Sequence, residues 1–176
     1  MSCIINGSAG LTTNSGAVYD GIQSATAVSA SGTSVDFTSI PSWVKRITVM
    51  FSGVSMSGTS NLLFQLGDSG GVETTSYATG YSAFSTTSLT SATETTGFRI
   101  APGSSAAAQT LSGIIIFTYA GSNLWVGSGS LNRTDSGSGG FCNGSKTISD
   151  TLTQVRVTTV NGTDTFDAGT INILFE

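Results

Sequence analysis

The sequence predicts an all-β protein, a β-sandwich or jelly roll of roughly eight to ten short antiparallel strands. Three observations predict it. Charged residues make up only 9% of the chain, against about 25% in an ordinary globular domain, and Ser and Thr, about a third of the residues, take their place. Apolar residues fall in short runs with the period of two of half-buried strands, and no stretch carries a helical period. The 23 glycines and 2 prolines punctuate these runs at short intervals, as tight turns between strands require. A chain of 176 residues suits one domain with a core of its own.

Taken in order, residues 1–25 show frequent glycines without sustained alternation and read as an extended arm or loosely attached edge segment. Ile4, Ile5 and Leu11 are its candidate attachment side chains. Residues 26–176 read as the sandwich domain. Its first half contains one or two strands over residues 25–40, broken at Gly32, a turn at Ile40-Pro41-Ser42-Trp43, and a strong strand in V-K-R-I-T-V-M-F. There Ile47, Val49 and Phe51 share one face, while Arg46, Thr48 and Met50 share the other. Leu62, Phe64 and Leu66 repeat the pattern. Residues 67–97 read as a long polar stretch, with Tyr77, Tyr81 and Phe84 as candidate surface-contact residues. L-S-G-I-I-I-F-T-Y reads as a strand covered on both faces, Gly121-Ser122-Asn123 as a hairpin turn, and residues 136–145 as a flexible loop. The C-terminal stretch is two strands around Asn161-Gly162; its last run, with Ile171, Ile173 and Phe175 on one face, is expected to close the domain from inside a sheet.

The formal charge of −4 and a pI near 4.5 exclude the basic stripe that nucleic-acid binding needs. No apolar run is long enough to insert in a membrane, and Met1–Gly7 lacks the features of a signal peptide. Cys3 and Cys142 stand far apart and read as free thiols made in a reducing cytoplasm. A charge-poor, hydroxyl-rich surface suits life outside a cell, whereas the missing export signal points to synthesis inside one. A virus particle satisfies both, so the expected location is the virion, after synthesis in the host cytoplasm.

Gly67-Asp68-Ser69-Gly70-Gly71 matches the string around a serine-protease nucleophile. That serine needs an imidazole to take its proton, and the sequence contains no histidine. The string therefore reads as a turn, and no catalytic residue is expected. Without histidine or clustered cysteines no metal site is expected either. Asp164 and Asp167 read as turn caps rather than calcium ligands, and Glu73 and Glu94 as loop carboxylates rather than a glycosidase pair. No cofactor is implied. Trp43 and Trp125 lie beside strands and read as core or interface residues.

Two strings, G-T-S-V-D-F-T-S-I-P-S-W-V-K-R-I-T-V-M-F over residues 32–51 and V-R-V-T-T-V-N-G-T-D-T-F-D-A-G-T-I-N-I-L-F-E over 155–176, resemble a domain of tailed-phage and prophage structural proteins. In tail-fibre-like proteins that domain often forms the C-terminal part. F-Q-L-G-D-S-G-G-V-E-T-T-S-Y and N-L-W-V-G-S-G are similar to further segments of it, and the resemblance spans about residues 26–176. It implies a non-enzymatic virion component, trimeric like other fibre and decoration proteins, and assigns no functional residues. The expected function is a tail-fibre or adhesin protein that binds a host surface glycan or protein. The alternative is a head decoration (cement) protein that stabilises the capsid through its N-terminal arm. In either role its partners would be other virion proteins and two further copies of itself.

Overall fold

The computed structural model describes residues 21–176 in full and, before them, the backbone of three short strands, β1 (Ile4–Asn6), β2 (Gly10–Thr12) and β3 (Val18–Tyr19). Then follow β4 (Gln23–Ser24), β5 (Val28–Ser29), β6 (Ser34–Phe37), β7 (Arg46–Met56), β8 (Leu62–Asp68), β9 (Gly71–Val72), β10 (Ala78–Phe84), β11 (Leu89–Glu94) and β12 (Phe98–Ile100). The last five are β13 (Leu111–Gly121), β14 (Leu124–Arg133), β15 (Gly139–Thr147), β16 (Gln154–Thr159) and β17 (Phe166–Phe175). The protein is an all-β sandwich. A nine-stranded antiparallel sheet runs β11-β10-β15-β14-β13-β7-β17-β4, with β5 also on β17, and a five-stranded one runs β12-β8-β16-β6, with β9 on β8. The chain passes repeatedly between the two sheets, so neighbours in sequence bury their apolar faces against each other across the core.

The periods read from the sequence set the inner faces. On β7, Ile47, Val49 and Phe51 point inward and are buried, while Arg46, Thr48 and Met50 point out. Leu62, Phe64 and Leu66 of β8 and Val155 and Val157 of β16 meet them from the smaller sheet. Phe98, fully buried, stacks edge-on against Tyr77 at 5.6 Å and Phe117 at 5.0 Å, linking the two sheets. Ser122 and Asn123 both take positive φ in the β13–β14 hairpin, as the predicted turn demands. β17 lies between β7 and the short β4 and β5, with Ile171 and Ile173 buried, so the terminal strand does sit inside a sheet.

Several expectations need correction. Fourteen strands fill the two large sheets, more than the alternation suggested, because strands such as β4, β5 and β9 have two residues each and show no period. The supposed loop over 136–145 contains most of β15, an interior strand between β10 and β14. Its glycines are steric necessities: a Cβ on Gly140 would run into the carbonyl oxygens of Ala101 and Ser82. The polar stretch over 67–97 contains the β10–β11 hairpin at the sheet edge. β13 is covered on one face only: Ile115 and Phe117 are buried, but Ile114 and Ile116 open outward.

The strands β1–β3, within the segment read as an arm, pair with one another, Ile5 opposite Leu11. The side chains of Ile4, Ile5 and Leu11, like Cys3, lie outside the described residues. β4, also inside that segment, lies on the edge of the larger sheet.

Candidate functional site

The outer face of the nine-stranded sheet is built by register. Four cross-strand rows cover its centre. Phe84, Gly139, Asn132 and Ser112 form one row. The next holds Ser82, Phe141, Ser130, Ile114, Met50 and Asn172. The third holds Gly80, Asn143, Ser128, Ile116, Thr48 and Leu174. The fourth runs from Ala78 through Ser145, Val126 and Thr118 to Arg46. Arg46 is the one charge in these rows, and Glu176 pairs with it at the corner. Phe141 and Val126 are each 46% exposed and Ile114 is 38% exposed. Apart from the Arg46–Glu176 pair, these rows carry apolar side chains among hydroxyls and amides, a composition found at contact surfaces.

The sequence-predicted contact trio separates. Phe84 alone points out of the sheet, beside Phe141, where the two rings edge a shallow hollow lined by Ser112, Ser130 and Asn132. Tyr81 is half-buried on the inner side, with the Arg99 guanidinium over its ring at 4.3 Å. Tyr77 is no surface residue at all. It is 3% exposed; its hydroxyl accepts from the Leu66 N–H at 2.8 Å and donates to the Glu73 carbonyl at 2.9 Å. Burial pushes that hydroxyl well above the usual tyrosine range. The reason is strand alternation: an aromatic in a hydroxyl-rich segment looks exposed until the segment is seen to be an edge hairpin with an inner face. The reading missed Ile114, Ile116, Val126 and Phe141. Their signal was present in the small residues opposite them, Ser128, Ser130 and Ser145, which offer nothing to bury a second apolar face.

Beneath the GDSGG turn lies a polar network, not a nucleophile. The Asp68 carboxylate accepts from the Gly70 N–H at 2.7 Å and from Ser149 Oγ at 2.6 Å. Lys146, only 4% exposed, places Nζ 2.5 Å from Glu73 Oε2 and donates to the Thr75 carbonyl. Ser149 Oγ also lies 2.9 Å from Glu73 Oε1, so both carboxylates converge on one hydroxyl, and the sequence has no imidazole to join them. Burial pushes the Cys142 thiol up to about 12, which leaves it inert. Asn161 Oδ1 caps its own turn by accepting from the Thr163 and Asp164 N–H groups, Asp164 accepts from the Asn161 side-chain amide and the Ser60 N–H, and Glu94 caps the turn at Thr95-Thr96. Among the described residues no group of three or more His, Cys, Asp or Glu stands together as metal ligands.

These carboxylates predict the acid response. The hydrogen bond from Ser149 holds Asp68 below its ordinary value, and that from Asn161 does the same for Asp164. Burial raises Glu73 and Glu94, but Lys146 and Ser149 in one case, and Thr96 and Thr95 in the other, outweigh it. Arg133 brings Asp135 to about 2. All five folded values lie below the unfolded ones, so their stabilisation is complete above about pH 5 and is lost as pH falls through the folded values. With no histidine, the melting temperature should be flat from about pH 5 to 8 and fall steadily from about pH 4.5 to 2. A melting curve unchanged down to pH 2 would contradict these assignments.

No known protein family matches the chain, and no curated protein matches it. Among solved structures it has a faint likeness to a chain of the infectious bursal disease virus Gx strain, at 12% identity and a TM-score of 0.16. That likeness covers 89% of this chain and 41% of that one. At such a score it carries neither fold nor function across.

Proposed function

We propose that this chain is a non-enzymatic structural protein of a bacteriophage virion, of the tail-fibre or adhesin type, which assembles as a homotrimer and contacts a host surface glycan or protein. The observation that carries the assembly part is the outer face of the larger sheet, whose four rows hold a single charge, Arg46, paired with Glu176 at the corner. Its six central strands and four rows span roughly 29 Å by 27 Å, close to the ~800 Å² per partner of a standard interface. Ser, Thr and Asn both donate and accept, so different parts of the face can pair with one another around a threefold axis, as a cyclic trimer requires. The sequence resemblance supplies the virion setting, and the absence of histidine from the sequence speaks against hydrolase chemistry of the GDSGG type.

The test is the mass in solution. The wild type should run at three times the 17.8 kDa chain. I114K combined with F141K should run as monomers, because each lysine is buried unpaired against a partner's apolar face, weakening assembly at least about 30-fold per site. Both positions are exposed on the single chain, so the variant should still fold. A monomeric wild type, or a variant that stays trimeric, would overturn self-association through this face.

The alternative is head decoration, and one observation favours it: β1–β3 form a sheet of their own rather than extending either large sheet. Such a unit suits clasping a neighbouring capsid subunit. Deleting residues 1–20 separates the readings, since cement loses head binding and an adhesin keeps host binding.

A further inference from the structure

On the opposite side of the sandwich, the smaller sheet carries a groove of about 310 Å³, at the small end of ligand pockets (~300–1,000 Å³). Two cross-strand rows line it: Gln65 and Arg156, with Asp36 next to Arg156 outside the groove, then Leu63, Thr158 and Ser34. Thr74 and Thr96, from the turns after β9 and β11, line it as well. The larger sheet also has hollows on its outer face, beside Phe84 and Phe141; this groove differs in being floored by β8, which is buried along its whole length.

The polar groups of the groove are held in place and incompletely used. Gln65 is 6% exposed, and its Nε2 donates to the Thr96 carbonyl at 2.9 Å, which fixes the amide plane. No donor to its Oε1 is found among the described residues, and Gln65 lines the groove. Arg156 grips both oxygens of Asp36 through Nε and Nη2, at 2.7 and 2.8 Å, leaving Nη1 without a carboxylate partner. The pair cancels its own charge, so the groove attracts neither anion nor cation strongly. It offers an amide acceptor, a guanidinium donor and several threonine and serine hydroxyls. No aromatic side chain lines it, so recognition would rest on hydrogen bonds and on contact with Leu63 and Val160.

We infer that this groove binds a neutral, polyhydroxylated ligand, one hexopyranose unit of a glycan. The inference deepens the host-contact reading and rests on it for its biological setting. An array of mixed donors and acceptors without net charge matches a sugar's ring of hydroxyls, each of which also donates and accepts.

The experiment is an amide-shift titration by NMR of the intact chain with six neutral methyl hexopyranosides, and with N-acetylneuraminic acid as the anionic control. The expected result is saturable shifts for at least one neutral sugar, centred on the Gln65 side-chain amide, Arg156 Nε–H and the Ser34 and Thr74 backbones. T74R, at an exposed wall position, should fill the groove and weaken binding at least about tenfold without unfolding the protein; Q65L should lose about as much by removing the amide. Neutral-sugar shifts centred on Phe84 and Phe141 would overturn the groove while sparing the host-contact reading. Binding of the anionic sugar alone, or no shift with any probe, would also overturn the groove. Particle labelling judges the virion assignment independently.

Discussion

Replacing Phe98 by Ala should cost about 3–5 kcal/mol and lower the melting temperature by about 6–20 °C at fixed protein concentration. The ring is fully buried on β12 and touches three groups that the fold depends on. Tyr77 meets its edge from the larger sheet's margin, Phe117 meets it from β13, and Gly127 is a glycine because a Cβ there would strike the Phe98 ring. Removing it leaves a void that the rigid backbone of β14 cannot close. Two aromatic pairs, worth about 0.5–1.5 kcal/mol each beyond area burial, are lost with it. F98L, which refills most of the volume, should recover more than half of the loss. A Phe98→Ala protein within 1 kcal/mol of wild type in urea unfolding would contradict this picture of how the sheets are joined.

The second large effect is expected at Lys146. K146M removes the cation from a pair of which Lys146 is 4% and Glu73 21% exposed. Breaking a fully buried pair costs about 3–5 kcal/mol; Glu73 keeps some access to water, so about 2–3 kcal/mol is expected here. The Thr75 carbonyl also loses its donor, and the Tyr77 ring loses the ammonium 5.1 Å from its centre. The double variant K146M/E73Q should sit closer to wild type than K146M alone, because no charge is left unpaired. Equal stability of the single and double variants would show that the cost lies in packing rather than in charge.

The parts of this fold that were legible are those where apolar residues alternate with large polar ones. β7 and β17 declare their inner faces, and the Asn161-Gly162 and Ser122-Asn123 turns declare themselves by residue type. The parts that were not legible are strands made of Gly, Ser and Thr. β15 reads as a loop because Gly139, Gly140 and Gly144 have no side chains to show a period, yet backbone crowding from β10 and the Ala101 segment is what excludes larger residues there. The candidate face was only partly visible for a related reason. Ile114-Ile115-Ile116 looks like a buried run, and nothing local says that alternate members face an unpartnered side. Tyr77 was misplaced because its hydroxyl partners, the Leu66 N–H and the Glu73 carbonyl, are backbone groups that no sequence pattern displays.

The central claim is that this protein belongs to the virion as a fibre or adhesin. Immunogold electron microscopy of intact particles, with an antibody against this chain, tests it most directly. Gold concentrated at the tail tip is the predicted result. Gold spread over the head would replace the adhesin with the decoration protein, and particles without gold would contradict a virion role altogether.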